Sequence, residues 1–423
     1  MHNRIILAAG VCVTLLLLIS VSASTDEDAA ERPSWPAHHG ADRSNMSAET
    51  GLLRRWPEGG PPPVWTYDEC GGGYSGVAIA DGMIFTAGDF ADDEKVLALD
   101  MEGRLLWSAP NGKSWNRSSP GSRTTPTYDD GRVYQLNPFG RLASYDAKTG
   151  REIWAVDLKA EFDAHWGIWG LAENVLIDGD KLLCMPGGER GRVVALDKNT
   201  GETIWANTQI AHTAAYCSPV VVTHGGKRQM LTMTQKSVVG IEVATGELAW
   251  SVPFVPRSPQ NALTPLYHDG HVFVACGHST GGRLLKIDQP ARSATTVWHR
   301  KDLDNCNAGS LLDDGKLYGA SCRVGGKHFF CVDFLTGETI KLDRTLGKVG
   351  MTTADGMIYC LGYRGQVSLL AITPDGFEIV SQFNLPRKPV NTYLAHPVVC
   401  GGRLYLRGGP ELYVYDIRDR KRR

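Results

Sequence analysis

The stretch "VVALDKNTGETIW" (193–205) holds two apolar runs on either side of a short turn, and the chain repeats it. "VLALDMEGRLLW" (96–107), "LASYDAKTGREIW" (142–154) and "VVGIEVATGELAW" (238–250) share its skeleton. An apolar alternation ends on an acidic residue, a Gly-containing turn follows, and a Trp stands four residues after that Gly. Alternation with period two belongs to a half-buried strand. A Gly at the turn accepts the positive φ that a tight reversal requires. Each copy therefore reads as two antiparallel strands with a Trp on the second.

Working outward, a second hairpin precedes each copy: "AIADGMIF", "TYDDGRVY", "LIDGDKLL", "LYHDGHVF", "LLDDGKLY", "TTADGMIY" and "VVCGGRLY". Asp-Gly and Gly-Gly between apolar runs are strong signals for hairpins with primed turns. The unit thus has four strands, A to D, and helical spacing is almost absent. The Trp recurs at 107, 154, 205, 250 and 298, and the next two equivalents are Lys341 and Val380. A four-stranded unit repeating at about 45–50 residues and stacked radially is a propeller blade. Burying each indole between neighbouring blades removes roughly 150–250 Å² from water, a gross gain of about 4–6 kcal/mol as an upper bound.

The A–B turns lie near Asp81, Asp130, Asp178, His224, Asp269, Asp314, Asp355 and Gly401. The last unit ends at "ELYVYDI" (411–417) without a fourth strand, and "PPPVWTYD" (61–68) is a lone strand before the first hairpin. Adding it to the last unit removes an open sheet edge. The expected fold is all-β: an eight-bladed β-propeller of four-stranded antiparallel blades, its ring closed by an N-terminal strand. The expected organisation is a signal peptide (1–23), an N-terminal extension packing on the propeller (24–60), the propeller (61–418) and a basic tail (419–423).

The signal peptide rests on Arg4, an apolar run of about 17 residues, and small residues at Val21-Ser22-Ala23. The mature chain is then periplasmic or secreted, with no membrane span after cleavage; a retained anchor is the alternative. A formal charge of −2 favours no nucleic-acid partner, and a monomer is expected. Ten cysteines include Cys12, which leaves an odd number after cleavage. Most sit in apolar runs as small buried hydrophobes, and one or two disulfides are admitted without a connectivity.

The D-x-x-T-G-E-x-x-W pattern resembles the tryptophan-docking repeat of pyrroloquinoline-quinone-type propellers, over nearly the whole mature chain. That family includes quinoprotein alcohol dehydrogenases and the non-enzymatic lipoprotein of outer-membrane β-barrel assembly. Trp35-Pro36 and the segment at 50–61 resemble secreted bacterial members whose activities are mostly unassigned. The resemblance implies the fold and leaves two functions open. One is a binding or protein-interaction scaffold in the periplasm or cell envelope. The other is a pyrroloquinoline-quinone- and calcium-dependent dehydrogenase oxidising an alcohol or sugar. The dehydrogenases of this fold often carry a disulfide between adjacent cysteines; this chain has no Cys-Cys pair and no C-x-x-C-H haem site. Pyrroloquinoline quinone with Ca²⁺ is therefore admitted and not favoured, and no catalytic or metal residue is assigned.

In this fold, function gathers where D-to-A loops converge on the central channel. The expected partner there is a small molecule or a protein. Arg123, Trp169, Glu173, Tyr216, Asn261, Asn307, Tyr393 and His396 stand on these loops and are the candidate pocket. Trp169 and Tyr216 offer flat faces, Arg123 pairs with carboxylates, and amides fix orientation. Glu173 with Asn261 or Asn307 could supply oxygen ligands to Ca²⁺. The competing reading is that amides and His cap the loops while the aromatics plug the channel. Asp302 and Asp304 are the nearest candidates for a base, and read better as turn residues. A carbohydrate site at Trp166 or Trp169 is a third option. Gly71, Gly73 and Gly76 form G-x-G-x-x-G, but a strand follows rather than a helix, which argues against a dinucleotide. His38-His39 reads as a solvated pair. Asn45-Met-Ser and Asn116-Arg-Ser fit the glycosylation pattern by composition alone.

Overall fold

The computed structural model describes residues 33–258, 260–322, 328–386 and 393–421. The expected signal peptide, the first residues of the extension, Cys12 and the end of the basic tail lie outside them. Among the described residues the chain forms eight antiparallel sheets and one short helix, Leu158–Phe162. Blades 1 to 8 occupy 78–113, 127–157, 176–207, 220–253, 266–300, 310–343, 349–384 and 398–416. Blade 8 takes its outer strand from the other end of the chain: Pro63–Tyr67 pairs antiparallel with Glu411–Asp416, Trp65 opposite Val414. Blade 7 carries a fifth strand, Met46–Ser47, parallel to its innermost one. No helix among the described residues is long and apolar enough to cross a membrane.

The repeated residues have separate tasks. At the A–B turns Asp81, Asp130, Asp269, Asp314 and Asp355 and the Gly after each have positive φ, as two-residue primed turns demand. In the outer turn the acidic residue caps the reversal. Asp146 accepts from the Thr149 amide at 2.9 Å and its hydroxyl at 2.8 Å, and Asp333 treats Thr336 alike at 2.8 and 2.9 Å. The Gly of that turn leaves its face bare for the indole of the preceding blade. The indole N–H then donates to a carbonyl of the next blade: Trp65 to Met101 at 3.0 Å, Trp107 to Ala147 at 2.9 Å, Trp154 to Lys198 at 3.0 Å, Trp205 to Val243 at 3.0 Å and Trp298 to Phe334 at 3.0 Å.

Trp250 departs from the expected docking. Blade 5 reads "DQPARS" (288–293) where its neighbours carry Thr-Gly, so no bare glycine is offered. The Trp250 indole instead lies over Gly240 of its own blade and donates to Gln229 Oε1 at 3.0 Å.

Each outer strand also carries a bulge at the residue before the Trp position: Val64, Leu106, Ile153, Ile204, Ala249, Val297, Ile340 and Val380 are skipped in the register, so in blade 7 Ser381, and not the expected Val380, takes the place of the Trp. A bulge adds twist and re-aims the next side chain, which turns the Trp toward the neighbouring blade. Val64, Leu106, Ile204, Val297 and Ile340 are left exposed by it. The apolar core lies between successive sheets, as where Tyr134 and Trp154 meet Leu182, Val194 and Met230.

Candidate functional site: the mouth of the central channel

The D-to-A loops are tied into a girdle by small polar groups. The Gly76 amide donates to Thr125 Oγ1 at 2.9 Å, the Thr125 amide to Asn174 Oδ1 at 2.6 Å, and the Asn174 amide to Ser218 Oγ at 3.0 Å. These bonds link blades 1 to 4. At Gly73 any Cβ would stand 2.5 Å from the Ser122 amide nitrogen. The glycines of "GGGYSG" thus serve the close approach of two loops, not a phosphate.

Residues 33–49 run across these loops. Trp35 exchanges backbone hydrogen bonds with Ile79 at 2.7 and 2.8 Å, and Pro36 O accepts from Tyr128 at 2.7 Å. Arg43, buried, donates to the carbonyls of Asn174 at 2.9 Å, Pro219 at 2.8 Å, and Val175. Asn45 donates to Met351 O and accepts from the Thr352 hydroxyl at 2.9 Å. The segment thereby joins blades 1 to 4 with blade 7. His39 and Arg43 hold positive φ of 65° and 58°, a strained backbone for residues with a Cβ that persists where surrounding bonds over-determine it. Asn45 is fully buried, which removes it as a glycosylation acceptor in the folded chain.

Above this segment lies a cavity of about 300 Å³. Arg123, Trp169, Tyr216, Asn307 and His396 line it. The Arg123 guanidinium sits over the rings of Tyr74 at 5.3 Å and Trp115 at 5.7 Å, and donates to Ser118 O at 2.8 Å and Ser119 O at 2.5 Å. Trp169 and Tyr216 meet edge to face at 5.2 Å. Asn307 Oδ1 accepts from the Tyr363 hydroxyl, and Lys348 Nζ stands 4.4 Å from that ring's centre.

Glu173, Asn261 and Tyr393 are not on the wall. Ala172 and Asn174 line it, and so do Gln260 and Ala262; the residue between each pair points the other way, as extended chain dictates. Glu173 is buried and accepts from the Met185 amide. Burial pushes its carboxyl up to about 8, which favours the neutral form at pH 7. Asn261 donates to Thr234 O at 2.8 Å. Tyr393 packs on Gly365 and Gly408 and donates to Pro386 O at 3.2 Å. Asp302 pairs with Arg300, and Asp304 is fully buried against Ser321 and the Cys322 amide; neither lines the cavity.

His38 and His39 are not a solvated pair. Both line the cavity, stacked with ring centres 3.7 Å apart, and His39 is buried. His39 Nε2 lies 2.9 Å from His396 Nδ1, and His396 Nε2 lies 3.0 Å from the Asn307 carbonyl. A carbonyl only accepts, so His396 carries a hydrogen on Nε2, while its Nδ1 faces His39 Nε2 and Asn45 Nδ2. Burial first, then the mutual proximity of the imidazoles and of Arg43, holds the pKa of His38 and His39 well below the usual histidine range. Burial likewise lowers His396. The doublet "HH" was visible in the sequence; its distance of some 350 residues from His396 was not bridgeable without the fold.

Cys306, on the wall, forms a disulfide with Cys322, and the other seven described cysteines are buried free thiols. Ca²⁺ does not fit the cavity. Among the described residues no Asp or Glu lines it, the Asn307 side-chain oxygen is already bonded, and Glu173 is turned away, its carboxyl pushed up to about 8 by burial. Among the described residues no three His, Cys, Asp or Glu are grouped to hold a metal ion.

Comparison with known proteins agrees with the architecture. A region of 161 residues is 31% identical to quinoprotein ethanol dehydrogenase of Pseudomonas aeruginosa, covering 35% of this chain and 25% of that one. Over 188 residues it is 27% identical to outer membrane protein assembly factor BamB of Nitrosomonas eutropha, covering 43% and 40%. The matches thus span well under half of these relatives. The crystal structure of quinohemoprotein alcohol dehydrogenase from Comamonas testosteroni superposes with a TM-score of 0.65 at 13% identity, over 92% of this chain and 81% of that one, a likeness of fold alone. A family model described as outer membrane protein assembly factor BamB matches residues 92–342, more than half of the chain. The chain is a quinoprotein- and BamB-like propeller, and it belongs to that family.

Proposed function

We propose that this propeller is an extracytoplasmic binding module whose ligand or partner engages the mouth of the central channel, and that it is not a quinone dehydrogenase. One observation carries the reading. Among the described residues the cavity wall presents Arg123, Lys348, ring faces and imidazoles, and no carboxylate. A calcium-dependent quinone oxidation needs anionic oxygen ligands and a base; a receptor for an anion needs the reverse. The extracytoplasmic placement rests on the N-terminal apolar run together with kinship to an outer-membrane assembly factor.

The test is to hold the purified chain with pyrroloquinoline quinone and Ca²⁺, then follow cofactor absorbance and dye reduction across a panel of alcohols and sugars. The expected result is no turnover. Saturable quinone binding with turnover would overturn the reading in favour of a dehydrogenase.

A further inference from the structure

We propose that the Cys306–Cys322 disulfide is an exchange site for a small thiol entering the channel-mouth cavity, with Cys306 as the sulfur attacked and Asp304 as the proton acceptor for Cys322. This adds a reaction to the binding module and is independent of what else the mouth binds.

Three observations carry it. The first is the unequal access of the two sulfurs. Cys306 lies half-buried on the cavity wall, while Cys322 is 4% exposed and off the wall. Exchange begins with a thiolate attacking the sulfur it can reach. A cavity of about 300 Å³ admits a small thiol and excludes a folded protein that carries one.

The second is a carboxyl group at the buried sulfur. Asp304 is fully buried. Its Oδ1 accepts from the Ser321 hydroxyl and from the Cys322 amide at 3.2 Å, and its Oδ2 stands 3.6 Å from Cys322 Sγ. An acceptor so placed is in reach of the proton on a Cys322 thiol. The Cys276 thiol of blade 5 also feels Asp304, and burial pushes it up to about 11. Cys276 therefore stays protonated at neutral pH and does not compete as a nucleophile.

The third is a loop that keeps its shape without the bond. Asn305 Oδ1 accepts from the Ala308 amide at 2.9 Å and its Nδ2 donates to Gly309 O at 2.7 Å. The Asn307 carbonyl accepts from His396 Nε2 at 3.0 Å. These bonds fix Cys306 from both sides, its Cα 6.2 Å from that of Cys322. Both sulfurs lie against Gly277, where any Cβ would collide with them. The two thiols of the reduced chain are thus held together, and the bond re-forms without a search.

In the reducing direction a thiolate RS⁻ attacks Cys306 Sγ. The Cys306–Cys322 bond breaks, its electron pair leaves on Cys322 Sγ, and a proton makes that sulfur a thiol that donates to Asp304 Oδ2. A second RS⁻ removes the first from Cys306 as RSSR, and Cys306 takes a proton from water. Two RSH become RSSR, and their protons end on the two cysteines. In the oxidising direction Asp304 takes the Cys322 proton as Cys322 Sγ attacks the mixed disulfide and expels RS⁻ from Cys306.

The test holds the full folded chain in mixtures of 2-mercaptoethanol and its disulfide, then quenches with acid, alkylates and maps peptides by mass spectrometry. The expected result is one mercaptoethanol on Cys306 and an alkylated thiol at Cys322, with the seven free thiols unmodified and the melting transition retained. Cys322→Ser is expected to take mercaptoethanol on Cys306 at least about tenfold faster than Cys306→Ser takes it on Cys322. Asp304→Asn keeps an oxygen for the Ser321 hydroxyl and the Cys322 amide. It is expected to slow expulsion of mercaptoethanol from Cys306 about tenfold or more at pH 7. Its rate should then climb close to tenfold per pH unit between pH 6 and 8, as Cys322 thiolate forms unaided, while the wild type stays flatter. The modification pattern of the wild-type chain decides the question even where a variant fails to fold. Reduction seen only in urea, at the rate of global unfolding, overturns the exchange site. Equal modification of Cys306 and Cys322 overturns the entry through the cavity, and so does faster reduction by thioredoxin than by 2-mercaptoethanol. An Asp304→Asn rate and pH profile matching the wild type overturns the role of Asp304.

Discussion

Gly150 tests whether the indoles hold the ring together. Its φ is +71°, and a Cβ there would stand 2.6 Å from the Trp107 ring, whose N–H reaches Ala147 O at 2.9 Å. Gly150→Ala therefore meets two penalties. A left-handed backbone costs a residue with a Cβ about 1–2 kcal/mol, and overpacking adds about 1–3 kcal/mol. Gly131 is the internal control, with φ +74° and nothing within 4 Å of its would-be Cβ; Gly131→Ala meets the backbone penalty alone. The expected losses are about 2–5 kcal/mol for Gly150→Ala and about 1–2 kcal/mol for Gly131→Ala. In a Trp107→Ala background the Gly150→Ala loss should shrink to that of the control, a coupling of about 1–3 kcal/mol. Urea unfolding followed by Trp fluorescence measures all four corners of the cycle, provided the slope with urea stays constant. Equal losses at 150 and 131, or no relief in the Trp107→Ala background, would refute the docking of one blade's indole on the next blade's glycine.

Two further outcomes are open to direct measurement. Glu173 ionises near the ordinary Glu range when unfolded and at about 8 when folded, so the folded chain binds the extra proton between those values. Its contribution to stability falls by about 1.4 kcal/mol per pH unit across that window and is constant outside it. Glu173→Gln, which keeps an acceptor for the Met185 amide, should gain on the wild type by roughly 3 kcal/mol between pH 5 and 7 in urea titrations; parallel curves would refute the assignment. Trp65→Ala removes an indole from the junction of blades 8 and 1, with an expected loss of about 2–4 kcal/mol in the same assay. The buried thiols Cys70 and Cys400, packed in the cluster around that junction, should then react with a thiol reagent before Cys217 of blade 4 does. Unchanged labelling order would refute closure of the ring by the N-terminal strand.

Blade number, strand order and closure were legible because one residue type does one job at each repeat: Asp caps, Gly clears, Trp docks. The bulge before each Trp was not legible. Val64 or Ile204 in an apolar run looks like core, and only the register shows that it faces solvent. The site was half legible for a similar reason. Being on a convergent loop brought Arg123, Trp169, Tyr216, Asn307 and His396 to the wall, but Glu173 and Asn261 fall on the wrong parity of extended segments whose starting phase is not written in the sequence. His38 and His39 escaped because their partner lies on the last D-to-A loop, at the opposite end of the chain.

The circle is sealed by pairing the first strand of the propeller with the last. During synthesis, then, 63–67 has nothing to pair with until residues 411–416 have left the ribosome. A chain that stops before residue 411 lacks that partner strand, and 63–67 then has no edge of the last blade to pair with. The joint couples two strands some 350 residues apart, so the outer edge of the last blade is covered only when both are present.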